Sequence, residues 1–521
     1  MTRANTLSVS FLSVLMLVGA WLLPSQVFAQ TGDDALRFAD RMPGSTTWSM
    51  GLAGTGVAGV ADASAFVTNP AGLGWLQRSV GAGSFTMLTS KTEGVYHSPG
   101  YSSSLSDELT KAGVSNLSYL FKVPTTQGSM TIGAALSRST TYERGLSFDG
   151  DNGSNSITDF FMPFGNEFSL VEDGGEVFPE FNRTLSFIAY ETYAIDLDQG
   201  LIDAGEPVPF LPAVSFGTVA QSGVFEDTGS LMELNFGGAV EVAPDVMVGA
   251  SMNIPVGTFE RFRSIEEDDY LNDNDGTGGT TDFNYLYFSE RFTSDLVGVN
   301  GRFGVSARAN ENVRIGLSIE TPTYFAIGES YSTYLETEFD YGDFFSYGDG
   351  PGQDAGSGSF DYTLRTPWRL GLGSQFNLGL ISISTDMEWI DWSQTEFNAS
   401  RFDFSDVNRD IRDALQSVVN VRVGASVDVG NTELRAGFAV HPDPRTEQRF
   451  VAEEFPNVDR ERAYGSLGIG YRFSDKLMID AAWMAETFKD RSDLYVDVSG
   501  APYVLEDVTR HRFQIGLRFA M

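Results

Sequence analysis

From His511 to Met521 the chain alternates without a break: Phe513, Ile515, Leu517, Phe519 and Met521 share one face, and Arg512, Gln514, Gly516, Arg518 and Ala520 the other. With two residues per repeat, this is a strand with one apolar and one polar face. Such a strand suits a wall between lipid and a wet or plugged interior, although soluble sandwiches use the same alternation. From Gln30 onward no uninterrupted apolar stretch is long enough for a membrane helix. If the mature chain lives in a membrane, it must be a closed barrel, because open sheets leave backbone groups unsatisfied in lipid.

At the other end, Arg3 precedes an apolar run from Phe11 to Leu23, and Val27-Phe28-Ala29 precedes Gln30. A charged start, a short apolar core and a small-residue cleavage site predict a secretory signal over residues 1–29. There are no cysteines, which removes disulfides and thiolate chemistry. The three histidines, His97, His441 and His511, have no recognisable nucleophile spacing, so no catalytic residue, cofactor or metal site is assigned. The formal charge is −36, and only five of the 34 basic residues are lysine. An acid-rich, lysine-poor surface stays hydrated at high salt, and so negative a chain argues against nucleic acid as a partner. Glu266-Glu267-Asp268-Asp269 with Asp273-Asn274-Asp275-Gly276 makes divalent cations candidate partners of the acidic loops. The calcium-loop register fails at Leu271, so a solvated loop is the simpler reading.

From about residue 80 one unit repeats: some ten alternating residues, a turn, and another alternating run. Leu117, Tyr119 and Phe121 form one such run, Met130, Ile132 and Leu136 the next. Val421, Val423, Val427 and Val429 turn at Gly430-Asn431 into Leu434, Ala436 and Phe438. Short turns alternate with long Asp/Gly/Asn-rich loops such as Asp149–Ser156 and Asp343–Ser359. Short turns at one rim and long loops at the other predict an all-β, transmembrane antiparallel barrel of about fourteen to sixteen strands. The interval Pro179–Gly223 fits the pattern least and has helical stretches.

Residues 50–76 are dense in glycine and alanine. Gly54-Thr55-Gly56-Val57-Ala58-Gly59 has the spacing of a dinucleotide-binding loop, but no apolar strand leads in and no helix and second strand follow. The plainer reading is a compact segment whose small residues pack closely on other backbone.

Gly51-Leu52-Ala53-Gly54, Ala61-Asp62-Ala63 and Asn69-Pro70-Ala71-Gly72-Leu73 resemble the amino-terminal hatch of the FadL/TodX outer-membrane transporters. Thr366-Pro367-Trp368-Arg369-Leu370-Gly371, Asp391-Trp392-Ser393, Pro442-Asp443-Pro444, Phe455–Arg460 and Gly468–Phe473 follow in that family's order. Two departures stand out: the chain ends in Met521 instead of an aromatic, and the long acidic loops match nothing in the family pattern. The resemblance implies a fourteen-stranded barrel over residues 79–521, plugged by a hatch over residues 30–78. It implies a monomer in the bacterial outer membrane, among its lipid and lipopolysaccharide, passing hydrophobic compounds, with long-chain fatty acids as the expected cargo. Such proteins use an apolar surface groove, an internal pocket against the hatch and a lateral exit at a kinked strand. Here the groove falls on Phe160, Phe161, Met162, Phe164 and Phe168 after the third strand, and the kink on Gly133. Gly51, Gly54, Asp62, Asn69, Pro70 and Ala71 are expected to build the hatch. The alternative is a barrel that shuttles proteins in a secretion machinery.

Overall fold

The computed structural model describes residues 32–215, 217–274, 282–348, 353–401, 403–446 and 458–521. The expected signal segment lies outside them, as does Phe455–Asn457. No helix among the described residues is long and apolar enough to cross a membrane.

Fourteen strands form the wall. They are β1 (Val80–Ser98), β2 (Tyr101–Val123), β3 (Met130–Thr141, resuming over Arg144–Asn152), β4 (Val219–Ala243), β5 (Val246–Asp268), β6 (Phe283–Asn310) and β7 (Val313–Glu320, resuming over Tyr324–Phe339). The circuit continues with β8 (Ser357–Arg365, resuming over Arg369–Leu378), β9 (Ile381–Asp391), β10 (Ser417–Val429), β11 (Thr432–His441), β12 (Arg462–Arg472), β13 (Leu477–Asp493) and β14 (Tyr503–Ala520). Neighbours pair antiparallel, and β14 returns to β1 in continuous register from Val80↔Ala520 to His97↔Tyr503. The sheet therefore has no free edge in lipid, as the bilayer demands. The breaks in β7 and β8 fall at Pro322 and Pro367, where proline cannot donate to the ladder.

The alternation sets which face is which. Phe85, Met87, Leu117, Phe121, Phe236, Phe303, Leu317, Leu372, Phe438, Leu467 and Ile515 point outward and are exposed, forming the lipid-facing band. Several strands run far beyond the expected ten residues: β4 has 25 and β6 has 28. On β5 the outward apolar positions end near Val256, and Glu260 follows. The strands keep going because their inward faces still have a core to cover. The outer rim carries the long loops with one exception, since β1 and β2 meet in a tight turn at Pro99-Gly100. The uncertain interval resolves into a hairpin (Phe168–Asp173 with Glu176–Phe181), two helices (Thr184–Glu191 and Gln199–Ala204) and a small paired strip.

This loop caps the outer mouth. Phe161, Ile188, Phe210, Ile265, Phe283, Phe288 and Leu335 form the largest apolar cluster with the upper strands. One buried carboxylate anchors the cap. Glu267, at the outer end of β5 and beyond the lipid band, accepts from Ile157 N at 2.8 Å, from Gln221 Nε2 at 2.5 Å and from the Ser156 hydroxyl. Ser156 also N-caps the short helix Ile157–Phe161. Despite these donors, burial dominates and pushes the Glu267 carboxyl up to about 7.

Inside the wall lies the segment from α1 (Gly32–Ala39) to Trp75. Its seat is a series of inward-facing glycines. The hatch backbone lies directly on strand backbone at Gly249, Gly316, Gly437 and Gly468, each on a different strand, and the Asn69 side chain fills the space over Gly304. A Cβ on Gly316 would run into the Val57 carbonyl, and one on Gly468 would sit 3.0 Å from the Gly51 Cα. Asn69, fully buried, caps the turn Pro70–Trp75 through Ala71 N (3.0 Å). Its amide donates to Val57 O (2.7 Å) and across to Val305 O on β6 (3.0 Å). Asp62 likewise caps Ala63–Phe66 through Ser64 N (2.8 Å). Opposite, Asp386 on β9 accepts from Gly56 N (2.6 Å) and Val57 N (3.0 Å).

Two outcomes follow from this architecture. Gly316→Val should unseat the hatch at a cost of about 1–3 kcal/mol or more, read as protease clipping of residues 32–78 while the barrel keeps its heat-modifiable migration. Gly465→Val, where an added Cβ meets nothing within 4 Å, should leave the hatch protected. The Glu267 pKa lies above its unfolded value, so its contribution to cap stability is complete below pH about 4.5 and is lost as pH rises through about 7. Amide exchange across Ile157–Phe161, corrected for intrinsic rate, should be slower at pH about 5 than at pH about 8. Glu267→Gln should remove that difference; a persisting difference would assign the pH response elsewhere.

Candidate lumenal site and lateral seam

The five groove candidates do not share one surface. Phe161 is fully buried in the cap core, with its ring 5.3 Å edge-on to Phe288. Phe160, Met162 and Phe168 pack half-buried at the edge of that core. Phe164 is half exposed, near Arg183, whose guanidinium stacks on both Phe160 (5.0 Å) and Phe164 (5.9 Å). Leu170, Val171 and Phe178 of the adjoining hairpin are also exposed. The aromatic run therefore splits: one part is the cap's own core, and another is an apolar outer edge.

Gly133 sits in unbroken pairing, opposite Leu120 on β2 and Gly237 on β4. The irregularity of β3 comes later, where its register against β4 shifts between Arg138 and Thr140. From that point upward β3 no longer pairs with β2. Backbone pairing between them runs from Val123↔Met130 to Asn116↔Ser137 and then stops, leaving Tyr101–Ser115 of β2 unpaired on that side. Side chains bridge the gap instead. Arg138 donates to the Val114 carbonyl from Nε (3.1 Å) and Nη2 (3.0 Å), and Asp107 accepts from Ser147 N at 2.6 Å. This seam starts at the upper edge of the apolar band, where Val114 pairs with Phe85. It is a break where the barrel can leave backbone groups to side-chain partners without facing hydrocarbon.

Behind the seam lies a lumenal cavity of about 310 Å³. Thr140, Thr141 and Tyr142 line it at the β3 break, α1 contributes Asp33, Leu36 and Arg37 with Asp40 just after it, and Phe225, Trp392 and Phe488 supply apolar wall. The remaining wall is a mesh of ion pairs. Arg261 grips Asp227 with both ends of its fork (2.7 and 2.9 Å), and Arg144 Nε donates to Glu506 at 2.9 Å. Arg462 pairs with Asp40 (3.0 Å), Arg460 with Asp490 (2.6 Å) and Arg445 with Asp33 (3.0 Å). Closer to the hatch, Arg302 binds Glu233 (2.7 Å), Glu320 (2.7 Å) and the Phe66 carbonyl (2.7 Å). Buried charges require such pairing, and losing one partner costs about 3–5 kcal/mol. A second concavity, about 960 Å³, lies on the outer wall between Ile132, Val240, Phe303 and Leu317 and faces lipid.

Apart from Arg460, which ends the Phe455–Arg460 motif, none of these lumenal arginines was picked out by motif. Arg144, Arg261, Arg302 and Arg462 carry a positional signal, since each occupies the polar face of an alternating strand, whereas Arg445 and Arg460 lie in the β11–β12 connection. The histidines are dispersed: His97 stacks on Tyr503 (5.2 Å), His511 on Trp483 (5.8 Å), and His441 packs on Tyr464 (4.9 Å) inside the lumen. Among the described residues, no group of three or more His, Asp or Glu is arranged to hold a metal ion.

Comparison with known proteins places this architecture. The family model described as "Outer membrane protein transport protein (OMPP1/FadL/TodX)" matches residues 222–497, more than half of the chain. A FadL homologue of Pseudomonas aeruginosa has a similar fold, with 14% identity, 92% of this chain and 99% of that chain covered, and a TM-score of 0.52. A deletion mutant of TodX, a monoaromatic hydrocarbon channel, is similar at 12% identity, with coverage of 91% and 98% and a TM-score of 0.50. The toluene transporter TodX of Pseudomonas putida itself aligns at 12% identity over 93% of this chain and 100% of that chain, at a TM-score of 0.48. Among curated proteins none matches this sequence significantly. The closed fourteen-stranded wall, the segment packed within it and the matched family model agree, and the chain belongs to the OMPP1/FadL/TodX family of outer-membrane transport proteins.

Proposed function

We propose that this transporter of hydrophobic compounds takes up long-chain fatty acids, or acidic amphiphiles like them, by passive passage. The observation that carries this reading is the make-up of the lumenal cavity. Leu36, Phe225, Trp392 and Phe488 offer apolar wall beside a dense set of guanidinium groups. A neutral hydrocarbon gains nothing from the guanidiniums, whereas a molecule with an apolar tail and an acidic head uses both surfaces. Among proteins of similar fold, TodX is named as a monoaromatic hydrocarbon channel, which makes toluene the natural competing cargo.

The route supported by the geometry runs from the exposed apolar edge at Phe164 and Phe178, through the cavity, and out at the β2–β3 seam. Phe164 and Phe178 serve collection in this reading, Phe161 holds the cap, and Asn69, Pro70 and Ala71 hold the hatch. No covalent step is required. The site has to bind well enough to load and weakly enough to release.

Cells lacking their own long-chain fatty acid transporter, and expressing this protein with confirmed heat-modifiable barrel, should take up labelled oleate faster than labelled toluene relative to vector controls. Deleting Gly51–Leu73 should abolish the gain. A well-inserted barrel that admits only toluene would reassign the cargo, and one that admits neither would bring the secretion reading forward.

A further inference from the structure

Above the lipid band β2 keeps one neighbour and loses the other. It joins β1 through the tight turn at Pro99-Gly100, which leaves Ser98 and Tyr101 directly paired. The pair that closes such a turn is hydrogen-bonded, and the antiparallel ladder alternates from there. The odd-numbered residues of β2 therefore turn their N–H and C=O groups to β1. Those of Ser102, Ser104, Ser106, Glu108, Thr110 and Ala112 point the other way, where β3 has left the ladder. Arg138 agrees with this assignment, because the carbonyl it reaches belongs to Val114, the next residue in that series.

The chain's own β3 does not take this edge. Its outer half pairs with β4 from Arg144↔Asp227 to Asn152↔Val219. Toward β2 its backbone meets side chains instead, with Asp107 at Ser147 N (2.6 Å), Ser103 at the Asp149 carbonyl and Ser98 at the Asp151 carbonyl. Among the described residues nothing pairs with the six free backbone positions of β2, and all six residues are exposed. Exposed edges are usually blunted by proline, lysine or a bulge. From Tyr101 to Val114 there is no proline, and the register against β1 does not shift. The one lysine there, Lys111, turns from the edge's outer face toward Glu143 (3.4 Å).

Alternating free N–H and C=O groups over Ser102–Ala112, a row about 34 Å long, match the main chain of another extended strand. The side chains flanking them are small, Glu108 apart, so an incoming strand can come within pairing distance. Charge selects among such strands. Glu108 sits in the middle of the row, and Lys91, opposite it on β1, is held by Glu93 at 2.6 Å. With a chain charge of −36 behind it, this edge attracts a basic strand and repels an acidic one. We infer that the outer edge of β2 is a docking site for an extended, cationic segment of another polypeptide. The segment adds as a strand antiparallel to β2, with a basic side chain beside Glu108. The site lies on the exterior of the wall and does not depend on which cargo the lumen passes.

The test uses the full-length protein purified in detergent and a twelve-residue peptide in which threonine and valine alternate around one central lysine. Hydrogen exchange resolved to single amides should find the even-numbered positions of Ser102–Ala112 fast and the odd-numbered ones slow. Saturating peptide should slow the even-numbered amides by about tenfold or more and leave the odd-numbered ones as they were. The same peptide N-methylated throughout, which keeps the side chains but has no donors, should not bind. Ser106→Pro removes a free-side donor without touching the β1 ladder and should abolish the protection. Should proline disturb the strand, Glu108→Lys should weaken the lysine peptide by about two- to fivefold and favour a glutamate peptide by a similar factor. Even-numbered amides that stay fast with peptide present, or equal binding of the N-methylated peptide, would overturn the site. Protection that grows with protein concentration in the absence of peptide would overturn the assigned partner, making a second copy of this chain the occupant.

Discussion

Everything in this molecule follows from the rule that a backbone amide cannot stay unpaired in hydrocarbon. The rule forces β14 onto β1 and makes the circuit close within the lipid band. It also dictates where the circuit can be opened. The β2–β3 ladder lets go at Asn116↔Ser137, at the upper edge of the band, and there Arg138 and Asp107 take over the stranded groups. A lateral opening deeper in the wall would need partners that lipid does not provide. The seam sits where the ladder can part without turning those groups toward hydrocarbon.

The interior obeys a second constraint, that a plugged lumen must be packed as well as hydrated. Glycines on successive strands let the hatch backbone touch the wall, and Asn69 and Asp386 satisfy the amides that this contact isolates. Above the hatch the same wall turns to arginine. Of the 34 basic residues five are lysine, so 34 − 5 = 29 are arginine. Scarce lysine at the surface is what adaptation to high salt would produce. The forked, weakly hydrated guanidinium accounts for arginine in buried pairs such as Arg261–Asp227 and Arg302–Glu233. The two explanations act on different faces of the same strands.

Much of this was legible in sequence because period-two alternation reports directly on which side of a wall a residue faces. Strand pairs such as Val421–Val429 with Leu434–Val440 needed no tertiary knowledge. The hatch was legible through its small residues and its capping asparagine. Strand length was not, because the upper ends of β4, β5 and β6 cover a cap whose core is assembled from distant segments, and alternation there mixes water-facing with core-facing positions. The Phe160–Phe168 run misleads for a related reason. An aromatic cluster reads the same whether it waits for a ligand or packs on its own neighbours, and here Phe161 does the second. Gly133 looked like a weak point because glycine lowers strand propensity, but the ladder gives way at Ser139, where a register shift leaves no compositional mark. The ion-paired lumenal wall was hidden because partners such as Arg144 and Glu506 come together only through the fold.

The 28 residues of β6 carry a further meaning. At about 3.4 Å per residue and a tilt of about 40°, they rise roughly 70 Å, against an apolar band of about 25 Å. The side of the wall built by β4, β5 and β6 therefore stands some tens of ångströms above the headgroups, several Debye lengths at physiological ionic strength, whereas β11 and β12, with 10 and 11 residues, end near the band. That elevation uncouples two fields that would otherwise oppose each other. Acidic residues carried at that far end, such as Glu266 and Asp268 on β5, are too distant to repel the anionic membrane surface around the base.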